Sequence, residues 1–440
     1  MIERLDILLL CNRPTRNSQA PMVFDHLDAF HEYSRHNIFE LSTIHSIPSR
    51  IDLAKFDVIV IHYTLGIGIE HYINYKTTEK IGKTEALKVV FIQDEYRNIH
   101  RKLDCLAEIG ADIVFTCIPE DEMRKIYLKE KLPDLTLINN LSGYVNQHKI
   151  DFGIPDLRVR PIDVGYRTRK PPYWLGKLGV EKWKIADDFR ELAKGYDLRL
   201  DFSYDESDRI YGQSWLRFLS SCKAVLGVES GSDVVDFSGD IENNVQEYLQ
   251  RNPMAEFQVI YEKFLKNKVG KINIKQISPR VFEAAEMRTL MILFEGYYSG
   301  IISPWKHYVP LKKDFSNFEE VMAILKDNTK ANQIVETAYT DLIASGEYGY
   351  DKFIQKFDSA LCSEFTNRNY EKVSNPYTQA EYKCALNTSF EYLFRHIISS
   401  FLQRLLLGIP NVRKFIFRIW FSLPENWQKV LRPYLRIINK

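Results

Sequence analysis

Residues 278–292 read SPRVFEAAEMRTLMI. Ser278 is a helix-capping residue, Pro279 suits the first helical position, and a strand-like apolar run begins near Thr289. A helix start has N–H groups without partners and partial positive charge, so it draws anions. Arg280 projects from that first turn, and Glu283 follows three residues later on nearly the same face. In one reading, the helix start and Arg280 hold the phosphates of a nucleotide while Glu283 accepts hydrogen bonds from the vicinal hydroxyls of its ribose. In the other, Arg280 and Glu283 form a surface ion pair worth about 0.2–0.5 kcal/mol.

Outward from this stretch, the chain alternates short Val- and Ile-rich runs with helix-period segments. In the first half the runs are DILLL, NIFELS, FDVIVIHY, LKVVFIQ, ADIVFT and LTLIN, separated by helical stretches at Val23–Tyr33, Glu70–Lys83, Arg97–Ile109 and Glu120–Leu128. This rhythm predicts β-α units stacked around a parallel sheet. It breaks in DFGIPDLRVRP after Ile150 and resumes with PIDVGYR, DLRLDFS, KAVLGVES and TLMILFEG. The helices of this second series are expected at Trp174–Ala193, Tyr211–Ser220, Pro253–Leu265 and Pro279–Met287. The expected architecture is α/β, with two Rossmann-like doubly wound domains, 1–155 and 156–345, facing a cleft at the carboxyl ends of their sheets. A helical C-terminal extension covers 346–440.

Composition narrows the class. A 440-residue chain with 45% hydrophobic residues can bury two ordinary cores, and its net charge of +1 excludes a uniformly basic nucleic-acid binder. The six cysteines are scattered with no C-x-x-C pair, which suits a reducing cytosol. No uncharged stretch reaches the roughly 18–20 residues that span a bilayer. Residues 391–440 interleave apolar side chains with Arg395, Arg404, Arg413, Lys414, Arg418, Lys429, Arg432, Arg436 and Lys440 against only Glu391 and Glu425. That tail reads either as an amphipathic segment lying on an anionic membrane surface or as one packed on another domain or subunit. The expected location is therefore the cytoplasm, with a peripheral place on the inner face of the membrane if the tail binds lipid.

Several chemistries have no motif. No two aspartates stand in D-x-D spacing, and neither a Walker loop nor a complete G-x-G-x-x-G is present. His26, His31 and His36 recur every five residues, which scatters them around a helix instead of stacking them as metal ligands. No metal or other cofactor is expected.

SPRVFEAAEMRTLMI resembles the helix and following strand in the C-terminal domain of GT-B glycosyltransferases, particularly the spore-maturation type, whose pattern is approximately R-x-F-E-A-x-A-x-G before a hydrophobic strand. The resemblance implies that Glu283 binds the ribose of a nucleotide-sugar donor. Related retaining enzymes carry an acidic residue eight positions earlier, in contact with the donor sugar; here that position is Lys275, and the usual glycine is Arg288. DVGYRTRKPPYWLGKLG, with Gly165, Tyr166, Arg167, Arg169 and Lys170, resembles the phosphate-facing first loop of such donor domains, and also reads as a solvated hinge. Cations there can neutralise a departing nucleoside diphosphate without a metal. Arg209 and Tyr211 in DRIYGQSW, and Ser230 and Gly231 in VLGVESGSD, are further candidate donor contacts, while Trp215 reads as core. In the first half, His62, Asp94 and Glu95 end apparent strands and are candidate bases for an acceptor hydroxyl; Asp94 and Glu95 also read as caps of a helix beginning near Tyr96. The function implied is metal-independent transfer of a hexosyl or related group to a glycan or lipid-linked acceptor in polysaccharide or glycoconjugate biosynthesis. A nucleotide-sugar epimerase on the same fold and a non-catalytic sugar-binding scaffold are the alternatives.

Overall fold

The computed structural model describes residues 4–14, 21–146 and 150–389. The basic tail at 391–440 lies outside them. In the first lobe the elements run β1 (Asp6–Cys11), α1 (Pro21–Tyr33), β2 (Asn37–Ser42), β3 (Val58–Ile61), α2 (Tyr75–Gly82), β4 (Leu87–Ile92), α3 (Ile99–Ile109), β5 (Ile113–Thr116), α4 (Met123–Ile126) and β6 (Thr136–Asn139). The six strands form a parallel sheet in the order β2-β1-β3-β4-β5-β6, with Ile7 opposite Val58 and Val58 opposite Leu87. Its central strands are buried on both faces, which is why they read as continuous apolar runs. Strand order reverses beside β1, so a crevice opens at the carboxyl ends of β1 and β3.

The second lobe repeats the plan with β7 (Ile162–Arg167), α5 (Lys177–Leu192), β8 (Leu200–Ser203), α6 (Gly212–Ser221), β9 (Cys222–Gly227), α7 (Asp240–Arg251), α8 (Phe257–Ile260), α9 (Pro279–Glu286), β10 (Leu290–Phe294) and β11 (Val309–Leu311). Its parallel sheet is ordered β11-β10-β9-β7-β8, reversing beside β7. The two doubly wound lobes expected from the strand rhythm are therefore present. Boundaries differ in detail. The helix expected from Glu70 starts at Tyr75, where the Asn74 side chain accepts from Thr77 N at 2.8 Å. The one expected at 120–128 is a single turn.

Two segments join the lobes. After α10 (Phe318–Lys326) and α11 (Asn328–Tyr339) pack on the second sheet, α12 (Tyr350–Asn367) returns to the first lobe and buries Phe353, Ile354, Phe357 and Leu361 against α1 and the sheet. Asp358 on α12 accepts from Ser34 Oγ and Arg35 N at 2.9 and 3.0 Å. α13 (Gln379–Asn387) also lies on the first lobe, where Tyr382 donates to the Glu40 carbonyl at 2.9 Å. The second join is the long β9–α9 connection. It places Ile272 and Ile274 in the core of the first lobe, and Arg97 pairs with Glu242 at 2.5 Å. No helix among the described residues is long and apolar enough to cross a membrane.

Candidate functional site

The β9–α9 connection brings the carboxyl end of β4 against the carboxyl ends of the second sheet. Asp236 N donates to the Tyr96 carbonyl at 2.8 Å, and the first N–H groups of α3, on Ile99 and His100, donate to the carbonyls of Asp236 and Phe237. Neither Asp94 nor Glu95 therefore caps α3; the cap is supplied across the lobes, because the helix starts at Ile99 instead of near Tyr96.

The second-lobe wall is built on α9. Ser278 caps the helix through its side chain and Pro279 opens it, as the sequence predicts. Arg280 lies over the Trp215 ring at 5.1 Å from its centroid and donates to the carbonyl oxygen of Arg167 at the end of β7. Glu283, half-buried, accepts from Trp215 Nε1 at 2.8 Å. The surface ion pair between Arg280 and Glu283 is absent from the salt bridges of the described residues; the indole of Trp215 lies against both side chains. Trp215 is buried, but it also belongs to this wall.

Lys182, on α5, joins the wall and was not legible in the sequence. Among the described residues its ammonium has one long hydrogen bond, to the Gly231 carbonyl at 3.4 Å, and no ion pair. Burial pulls it down to about 8, the charges of Arg169 and Arg280 push the same way, and Asp94 and Asp233 oppose them. Arg169 is exposed and likewise has no ion pair among the described residues. Arg169 and Arg280 lie close enough to act on the Lys182 charge, so three cations without a carboxylate partner among the described residues share this wall, a surplus that an anion of several charges would satisfy.

On the first-lobe side, Asp94 is exposed and holds a left-handed φ of 59°, unusual for a side chain other than glycine. Tyr96 donates to its Oδ1 at 2.7 Å, and Lys102 Nζ to its carbonyl at 2.7 Å. Glu95 points inward instead. It accepts from the hydroxyls of Thr116 and Tyr127, and burial raises its carboxyl to about 7 despite those bonds and the nearby Lys102 charge. His62 corrects an expectation. It is fully enclosed, with Nε2 3.0 Å from His26 Nδ1 and Nδ1 accepting from Thr64 N at 3.2 Å. Burial holds both rings neutral, His26 near 3. The pair is set among Tyr63, Phe91 and Phe353 and presents no basic nitrogen to the cleft.

The other sequence candidates have structural partners. Gly165 lies inside β7, where a Cβ would collide with Cys222 and Phe218, so its smallness serves sheet–helix packing. Tyr166 is buried in the second core. Arg167 pairs with Asp201 at 2.9 Å and lies 4.4 Å from the Phe218 ring centroid; Lys170 rests against Trp183 and Tyr204. Among the described residues, Arg169 is the one of the three loop cations with no ion pair or ring contact. Arg209 pairs with Glu206 at 2.6 Å beside Tyr211, which precedes the first turn of α6 and stands one turn before Trp215. Ser230 exchanges backbone hydrogen bonds with Gln276, and Gly231 takes a φ of 97° where a Cβ would strike the Ile274 carbonyl. Gly231 is thus required by the approach of segment 274–276. Lys275 faces Asp233 at 3.5 Å.

No family model matches the chain, and no curated protein matches its sequence. The solved structures that it is similar to in three dimensions include glycosyltransferases. They include an α-glucosyltransferase in complex with UDP-glucose and DNA (13% identity, 82% of this chain and 100% of that one, TM-score 0.45). HepE of Anabaena in complex with UDP-glucose matches at 11% identity over 82% of this chain and 100% of that one, with a TM-score of 0.43. TarM matches at 11% identity and a TM-score of 0.39 over 69% of this chain; the match spans 54% of the length of TarM.

Proposed function

We propose that the protein is a GT-B-type glycosyltransferase that moves a sugar from a nucleoside diphosphate onto the hydroxyl of a glycan or lipid-linked acceptor. The observation that carries this reading is the gathering of Arg169 and Arg280 about Lys182, none with an ion pair among the described residues, with Arg280 in the first turn of α9 and Glu283 one turn on. In this reading the diphosphate lies on the three cations and the helix start, and Glu283 takes the ribose hydroxyls while Trp215 holds its carboxylate. When the bond between the sugar and the β-phosphate breaks, charge grows on the departing oxygen, and cations already fixed in a low-dielectric cleft stabilise it without a metal ion. In this reading Asp94, exposed and close enough to Lys182 to act on its charge, accepts the proton of an acceptor hydroxyl. The tail at 391–440 would keep the enzyme on the inner face of the membrane, where lipid-linked intermediates of polysaccharide or glycoconjugate synthesis are found.

The test is a binding and turnover panel of UDP-, GDP-, ADP- and CMP-sugars. One donor should bind, and excess chelator should leave transfer to an acceptor unchanged. Glu283→Gln should weaken that donor by about 1.5–3 kcal/mol, the worth of a charged hydrogen-bond pair, at unaltered Tm. Unchanged donor affinity in Glu283→Gln would remove the ribose role. Binding without turnover on any acceptor would leave a sugar-binding scaffold.

A further inference from the structure

An exposed carboxylate on a loop has several rotamers open to it, and a group that takes a proton from a substrate must be held in one. Asp94 is exposed, on the loop between β4 and α3. Its backbone is fixed by Lys102, which donates to the Asp94 carbonyl and supports a left-handed conformation that a non-glycine residue keeps only when its surroundings impose it. Among the described residues its carboxylate receives one hydrogen bond, from the Tyr96 hydroxyl to Oδ1 at 2.7 Å. Burial, the Asp94 charge and that bond hold the phenol well above its ordinary value, so it stays a donor at any working pH.

What fixes Tyr96 comes from the other lobe. Its half-buried ring lies at the junction, packed on the core of the first lobe and on the cluster around Trp174, Val234 and Val245 of the second. The Trp174 ring centroid is 6.0 Å from that of Tyr96, at an interplanar angle of 52°. The Tyr96 carbonyl accepts from Asp236 N, on the β9–α9 connection, at 2.8 Å. Trp174 stands in the loop between β7 and α5, after Arg169 and before the helix that carries Lys182. One stretch of the second lobe therefore bears two cations of the diphosphate wall and also presses on the tyrosine that holds Asp94. Trp174 is buried, and its Nε1 has no hydrogen-bond partner among the described residues, so the indole acts on Tyr96 through packing.

We propose that Tyr96 is a positioning residue that couples the lobes: packed by Trp174 of the second, it orients the Asp94 carboxylate of the first toward the acceptor hydroxyl. This rests on the transferase reading, with Asp94 as its base. The experiment compares the full-length wild type with Tyr96→Phe and Trp174→Phe. It uses the donor that the nucleotide-sugar panel identifies, with octyl glycosides of glucose, galactose, mannose and N-acetylglucosamine as surrogate acceptors. It reads kcat as released nucleoside diphosphate at saturating substrates, and donor Kd by calorimetry. Tyr96→Phe removes one oxygen from a half-exposed ring and Trp174→Phe removes no hydrogen bond, so both variants should fold. Each should lower kcat by about tenfold to a hundredfold, the scale of a misplaced reacting group, at unchanged donor Kd. Wild-type kcat in Tyr96→Phe overturns the proposal, and so does a fall in kcat matched by an equal loss of donor affinity, which marks a structural role. A loss in Tyr96→Phe with none in Trp174→Phe overturns it too, because the tyrosine would then act within the first lobe alone. A wild type that binds a donor but turns it over with no acceptor overturns the transferase reading itself, and this inference with it.

Discussion

A lysine ammonium placed beside two guanidinium groups is held there against its own electrostatics. Lys182 is drawn down to about 8 by burial and by Arg169 and Arg280. Between pH 8 and the ordinary value of 10.5 the unfolded chain binds the proton and the folded chain does not, so stability should rise with pH across that window. Binding of a diphosphate reverses the balance, because an anion restores the charged form. Affinity for the nucleoside diphosphate that the donor panel identifies is therefore expected to fall as pH rises through about 8, with proton uptake on binding, and Lys182→Gln should bind weakly at neutral pH with no such fall. Titration calorimetry in buffers of different ionisation enthalpy measures both. A wild-type affinity that stays flat from pH 7 to 9.5 would remove Lys182 from the anion site. The contrast with Arg280 shows what a sequence discloses at this scale. Arg280 and Glu283 are legible because their meaning is local: a cap, a proline and a spacing of three. Lys182 is one of several lysines on a long amphipathic helix, and only the folding of Gly231 over it makes it special. His62 misleads for the opposite reason: it ends a strand at the correct end of the sheet, but its ring turns inward to His26.

At the scale of elements, the departure at Arg288 has a backbone explanation. α9 ends with Thr289 N bonded to the Ala284 carbonyl and Arg288 N to that of Ala285, and Arg288 adopts a φ of 47°. This is the left-handed position after a helix that glycine fills most easily, which accounts for the glycine in the pattern that this stretch resembles. Arginine is held there by Tyr339, 3.6 Å from its guanidinium carbon to the ring centroid, and by Glu336 at 3.0 Å. The left-handed conformation costs a non-glycine residue about 1–2 kcal/mol. The cation–π contact and the largely exposed ion pair return about 0.5–1 and 0–1 kcal/mol. Arg288→Gly is thus expected to change unfolding free energy by less than about 1 kcal/mol, whereas Arg288→Val, which keeps the strain and loses both contacts, should destabilise by about 1–2 kcal/mol. Chemical denaturation distinguishes the two, and equal losses in both variants would show that the side-chain contacts outweigh the backbone. The strand runs were readable because each is a short, doubly buried stretch. β11 was missed because three residues, one of them Pro310, carry too little pattern.

For the whole molecule, the sequence predicts two sheets and a helical extension, but not where the extension belongs. Long-range packing decides that. α12 covers the first sheet although more than 200 residues separate it from β6, because Phe353, Ile354, Phe357 and Leu361 fill the face that α1 leaves open. Full burial of four such side chains contributes on the order of 6–12 kcal/mol, as much as the net stability of a typical domain. A chain ending at residue 345 should therefore fail to fold its first lobe. A chain ending at residue 389 keeps both α12 and α13 and should retain the Tm and donor affinity of the full protein. If the basic tail is a membrane anchor, this longer truncation should also lose the pelleting with anionic liposomes that the full chain shows. Thermal unfolding followed by circular dichroism and liposome sedimentation on the three chain lengths separate these contributions. A cooperatively folded 345-residue form would show that the first lobe closes its own core and that α12 is an accessory, while undiminished pelleting of the 389-residue form would place any membrane contact on the folded lobes.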